Sequence, residues 1–248
     1  MVTTELRGTR HHPIAVAPSA SGFLAALEHD RTLSAGRPAS VLLVGDPAID
    51  PFSRDRLPRL RASEIDLLSG LYRGLSTRVL KNSDATPARV LSALGQSDIV
   101  HLAVHSVPVQ EDPARSHLVL ASGNLTARDI LGLRLPRTRL VVLAACGTQA
   151  GPVSPSEGSL SLSSAFLAAG VPAVVGSLWP VDDASTARLS VRLHQEILRG
   201  ADPMAALRTA QLAEIAMGRA DWTWASFELF GGAAAREPQG RVISSGQL

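Results

Sequence analysis

The chain has 248 residues, 45% hydrophobic and 19% charged, which is ample apolar content for one large core and too little charge for a disordered polymer. Aromatic residues make up only 4%, so that core must be built mainly from Leu, Val and Ala. Lys and Arg number 24 against 22 Asp and Glu. With a balance that slight, and no basic run carrying interleaved aromatics, binding to nucleic acid is not expected.

Cys146 is the single cysteine, which excludes an intrachain disulfide and a Cys-based metal cluster. No stretch approaches about 18 consecutive apolar residues, and the N-terminus lacks the basic-then-apolar pattern of a secretory leader. No membrane association is expected, and a reducing cytoplasm is the expected compartment.

Val41–Val44, followed by Gly45-Asp46-Pro47, reads as a buried strand stopped by a turn. Apolar positions at Ile65, Leu68 and Leu71/Tyr72 predict an amphipathic helix over Arg61–Tyr72. Thr86-Pro87 then supplies an N-cap and first helical residue for Pro87–Leu94. Strands are predicted at Ile99–Val104 and Ser116–Ala121, and a short helix capped by Thr126 runs through Ile130. Leu140–Ala145 is a continuous apolar run of strand length, as a central parallel strand covered on both faces requires. A helix over Gly158–Ala169, a buried strand over Ala173–Leu178 and helices over Ser185–Leu198 and Pro203–Met217 follow, the last capped by Asp202. Trp224–Phe230 is predicted as an edge strand. This alternation predicts an α/β fold with a mostly parallel sheet flanked by helices on both sides.

Sites in such sheets form beyond the carboxyl ends of the strands. The strand over Ile99–Val104 delivers His105 there, and the strand over Leu140–Ala145 delivers Cys146. A thiol is a weak nucleophile until deprotonated, and a nearby imidazole supplies that activation. Gly147 leaves the backbone beside the sulfur uncovered, so its N–H is a candidate oxyanion donor. The order, His before Cys by 146 − 105 = 41 residues, and the segment Ala145-Cys146-Gly147 partly echo caspases. His101 shares a strand face with His105; it reads first as a core histidine, and orienting His105 is the alternative. Metal binding by the two is not expected, because positions four apart on a strand lie about 13 Å apart. His11, His12, His29, His117 and His194 show no ligand spacing. No cofactor is expected, since the chain has no Gly-x-Gly-x-x-Gly after its first strand and no Walker lysine.

At the third strand end stands Trp179-Pro-Val-Asp182-Asp183. Trp179 offers an apolar pocket wall, and Asp182 or Asp183 offers negative charge to a basic P1 side chain. The competing reading makes these carboxylates caps for the helix that begins near Ser185.

Seven segments extend the pattern over nearly the whole chain: Ala17-Pro-Ser-Ala20, Val41-Leu-Leu-Val-Gly-Asp-Pro47, Asp98-Ile-Val-His-Leu-Ala-Val-His105, Leu125-Thr-Ala-Arg-Asp-Ile130, Leu140-Val-Val-Leu-Ala-Ala-Cys146, Phe166-Leu-Ala-Ala-Gly170 and Ser177-Leu-Trp-Pro-Val-Asp-Asp183. In this order and at these intervals they resemble the CHAT domain, a bacterial group related to caspases and separases (peptidase clan CD).

The resemblance implies a three-layer caspase-like fold over residues 12–232, with an N-terminal extension at 1–11 and a disordered tail at 233–248. It implies a cysteine endopeptidase acting on a protein or peptide substrate, with His105 and Cys146 as the catalytic dyad. It also implies a helical-repeat module or sensor protein as regulatory partner. A catalytically silent, partner-binding domain of the same fold is the alternative. Two positions depart from the family pattern. Ser106 stands where many members have Gly, which keeps a backbone N–H as an oxyanion donor. Gly147-Thr148-Gln149 follows the Cys where members often carry an acidic residue and then Thr-Gly.

Overall fold

Seven strands form one sheet in the order β1-β12-β11-β8-β4-β2-β3. They are β1 (Ala15–Val16), β2 (Ser40–Pro47), β3 (Ser76–Asn82), β4 (Ile99–Ala103), β8 (Leu140–Leu143), β11 (Ala173–Ser177) and β12 (Phe227–Gly231). The computed structural model describes residues 14–33, 38–49, 63–144, 153–154, 158–159 and 162–232. The expected tail at 233–248 lies outside them. β3, β2, β4, β8 and β11 are mutually parallel, and β12 runs antiparallel to β11.

Register aligns Leu42 with Val100, Val100 with Val141 and Val141 with Val174. Successive strand residues point to opposite faces. Leu42, Val100, Val141 and Val174 therefore pack into one core with α3 (Pro87–Leu94), α4 (Ala127–Leu131) and α5 (Leu162–Ala168). Leu43, Val142 and Val175 enter the second core, with α2 (Ser63–Leu71), α6 (Asp183–Leu198) and α7 (Pro203–Ala216). The result is a helix–sheet–helix sandwich.

Local chemistry starts the helices where the sequence predicts. Thr126 and Asp129 form a reciprocal capping box at α4. Asp202 accepts from Ala205 N at 2.9 Å to open α7. Gly45 is required by packing: a Cβ there would lie 2.4 Å from Ile65 Cγ1 of α2.

Several elements differ from expectation. β12 is interior rather than an edge, because β1 pairs with its far side. The predicted helix over Gly158–Ala169 is shorter: Gly158–Ser159 forms a strand, β10, paired with β9 (Val153–Ser154), and the helix begins at Leu162. The strand predicted at Ser116–Ala121 is β6 (His117–Leu120). It belongs to a separate antiparallel sheet with β5 (Ser106–Val107) and β7 (Gly123–Thr126). α1 (Ala20–Thr32) and β3 were not anticipated: α1 buries only Asp30 and β3 only Leu80, so neither carries a clear apolar period.

Candidate active site

Parallel strands deliver their last residues to one edge of the sheet, and the predicted site residues cluster in sequence at that edge. β4 ends at Ala103, and His105 follows, partly buried, just before β5. Val119 N donates to the His105 carbonyl at 2.9 Å, fixing the backbone at the junction of the two sheets. Ser106 pairs with Leu118 and Val107 with His117. In an antiparallel ladder, hydrogen-bonded and non-hydrogen-bonded pairs alternate. The His105–Val119 bond and the Ser106–Leu118 pair thus continue one ladder into β5.

Cys146 and Gly147 lie outside the described residues. The strand that leads to them is well defined: β8 pairs with β4 as Ile99↔Leu140 through Leu102↔Leu143. Every pair is offset by 41 residues, and 41 is also the separation of His105 and Cys146 in the sequence.

At the end of β11, Trp179 is 37% exposed and its Nε1 donates to the Trp222 carbonyl at 2.9 Å. Asp182 is exposed and is the N-cap of α6, its Oδ1 accepting from Ser185 N at 3.0 Å. What burial it has raises its pKa, but hydrogen bonds from Ser185, the Arg188 charge and the Ala184 N–H outweigh this and hold it below the usual carboxylate value. Asp183 begins the first turn of α6, complementing the helix dipole. Asp182 is thus a solvent-exposed cap of α6.

His101 is fully buried on the α2/α6 side of β4. Its Nδ1 lies 3.1 Å from His194 Nε2, and its Nε2 lies 3.1 Å from Glu64 Oε1. The latter contact is an ion-pair distance without the alignment of a hydrogen bond. His194 Nδ1 in turn lies 2.6 Å from the Tyr72 hydroxyl. Burial, and then the neighbouring His101, hold His194 well below its ordinary pKa, and burial raises that of Tyr72. Sequence reasoning passed over His194. The available signal was a polar residue on the inward face of a helix beside Leu193 and Ile197.

A cavity of about 510 Å³ opens elsewhere, between α1 and α5, lined by residues such as Ala25, His29, Leu167 and Pro172. None of the predicted site residues lines it. Among the described residues there is no group of three or more His, Cys, Asp or Glu suited to a metal ion, and no helix long and apolar enough to cross a membrane.

Comparison with known proteins gives a consistent result. A family model described as CHAT domain matches residues 8–232. Tetratricopeptide repeat protein 28 from Homo sapiens, like that from Mus musculus, is 30% identical over 198 residues, covering 63% of this chain and 8% of the relative. The chain thus spans less than a tenth of the length of those curated relatives. Among solved structures, the Arg specific cysteine proteinase gingipain R superposes with a TM-score of 0.62 at 10% identity, over 85% of this chain and 50% of that one. Separase in the Saccharomyces cerevisiae separase–securin complex gives 0.60 at 14% identity, over 88% of this chain and 14% of that one. At such identities the likeness is one of fold.

Proposed function

The chain belongs to the CHAT domain family and has a caspase-like α/β fold, and from that premise we propose that it is a cysteine endopeptidase with His105 as general base and Cys146 as nucleophile. The observation that carries this reading is the 41-residue offset shared by the β4–β8 register and the His105–Cys146 pair. That shared offset supports the reading that the two side chains leave neighbouring parallel strands at the same end of the sheet.

In the proposed reaction His105 takes the proton from the Cys146 thiol, and the thiolate attacks the scissile carbonyl carbon. The N–H groups of Ser106 and Gly147 donate to the developing oxyanion. The imidazolium then gives its proton to the departing amine. Water, activated by the same imidazole, hydrolyses the thioester and restores the thiol. Substrates are proteins or peptides cleaved after Arg or Lys, with Trp179, Asp182 and Asp183 facing the P1 side chain. The match within a protein named for tetratricopeptide repeats supports a helical-repeat module as the regulatory partner.

Labelling with a peptidyl acyloxymethylketone, followed by mass mapping, tests the assignment. Modification at Cys146 that vanishes in His105→Ala is expected, together with a loss of turnover of about two to four orders of magnitude in that variant. Peptide cleavage that persists in Cys146→Ala would overturn it.

A further inference from the structure

We propose that His101 is a positioning residue for His105, held in place by a buried chain of polar groups, Tyr72–His194–His101–Glu64, that ties β4 to α2 and α6. The proposal rests on the reading of His105 as the general base. Both ends of the chain belong to the α2 segment: Glu64 lies in its first turn and Tyr72 directly follows Leu71. The middle is shared between β4, through His101, and α6, through His194. Helix and strand are thus fastened at two points rather than packed along a slippery apolar seam.

The chain has one self-consistent direction. A protonated Tyr72 hydroxyl donates to His194 Nδ1, leaving the proton of that neutral ring on Nε2. His194 Nε2–H then donates to His101 Nδ1, which leaves the His101 proton on Nε2, facing the Glu64 carboxylate. Every donor points toward the negative charge, and a reversed chain would leave the carboxylate facing a bare lone pair. Charged Asp66 and Lys81 pair with each other at the surface, and Arg188 faces Glu214, so the described ion pairs nearby are satisfied outside this chain.

Around His101 the same face of the sheet is apolar, with Leu43, Ile99 and Val142. An aliphatic residue there would suit packing alone, and buried polar groups are a poor source of stability. What a buried chain of two hydrogen bonds and one ion-pair contact supplies is a preferred geometry. β4 lies between β2 and β8, so the height of its exit relative to β8 is the height of His105 relative to the end of β8. His101 is four residues before His105, which follows the end of β4 by two residues, and acts through the intervening backbone.

The test uses the full chain labelled with ¹⁵N-histidine, in wild type, Tyr72→Phe, Glu64→Gln and a packing control, Leu189→Ala. Long-range ¹H–¹⁵N spectra should find both His101 and His194 protonated on Nε2 in wild type. Tyr72→Phe and Glu64→Gln should each shift the ring signals of His105 and lower kcat on a fluorogenic peptide by about tenfold with KM unchanged. Leu189→Ala should lower the melting temperature and leave the His105 signals and kcat alone. His105 signals and kcat unmoved by Tyr72→Phe and Glu64→Gln would make the chain a core feature only and overturn the proposal. So would His101 protonated on Nδ1. A wild-type protein that cleaves no peptide removes the peptidase reading, and the His105 signals then decide the positioning claim by themselves.

Discussion

The fully buried His194 makes stability depend on pH in a way that can be worked through. Burial depresses its pKa in the folded state, so it stays neutral there, whereas in the unfolded chain it titrates near 6.5. Below that value the unfolded chain binds a proton the folded one refuses. Stability from this group is therefore full above about pH 7 and is lost as pH falls through the mid-sixes. If the ring remains neutral down to pH 5, the loss there is 2.303RT multiplied by 1.5 units, about 2 kcal/mol. The perturbation is His194→Gln, whose amide can accept from Tyr72 and donate to His101 without titrating. Tyr72, His101 and Glu64 still face the site in that variant, so the difference between the two proteins reports on the titratable ring at position 194. Urea unfolding at pH 7.5 and pH 5.0 is the assay. Wild type should lose about 2 kcal/mol more than the variant across this interval. An equal loss in both would mean that His194 accepts a proton inside the fold, and the buried neutral chain would be wrong.

Three other outcomes are expected. Asp98 receives Ala39 N at 2.6 Å, Ser40 N at 3.0 Å and Arg137 Nε at 2.9 Å at the amino end of β4. Asp98→Ala should cost about 3–5 kcal/mol and lower the melting temperature by roughly 6–20 °C in calorimetry. Burial opposes the ionised Asp98, but its hydrogen bonds prevail and lower its pKa, so its contribution holds above about pH 4 and fades below that. Gly231 has φ +98°, and a Cβ there would lie 2.2 Å from the Pro172 carbonyl oxygen, so Gly231→Ala should destabilise by about 3 kcal/mol in urea titration. In a positional peptide library, Asp182→Asn should weaken a preference for Arg or Lys at P1 by no more than about fivefold, with the effect screened by salt, because this carboxylate is solvated.

Legibility in the sequence followed burial. β2, β4, β8 and β11 are covered on both faces, so each is a mostly apolar run between turn residues, broken in β4 only by His101, and reads as a strand without help from its neighbours. Capped helices read equally well, since Thr86, Thr126 and Asp202 each accept a backbone hydrogen bond where the side-chain type demands. α1 and β3 have mostly exposed faces, and β5, β9 and β10 are two residues each, so there was no period to find. β12 was read as an edge because its partner β1 is only Ala15–Val16, a pairing made across more than two hundred residues of chain. Of the site, the backbone context of His105 was legible because strand ends are. The polar chain around His194 was not, because it joins three elements whose contacts no local pattern encodes.

His101 lies within β4 and His105 two residues beyond its end, and their surroundings differ accordingly. With a period of 2, His101 and His105 begin on the same face, and sequence spacing alone cannot tell them apart. What separates them is where the covering helices stop. His101 lies opposite Val142 and Leu43, beneath Glu64 of α2 and His194 of α6, and is fully buried. A proton exchanged there would have to enter a dry interior, so the ring is suited to holding geometry. His105 is two residues past the last ladder pair, partly buried, with its carbonyl anchored by Val119. An imidazole in that position lies outside the dry core, as the proposed general base requires. The end of the sheet is therefore what separates the fully buried His101 from the partly buried His105.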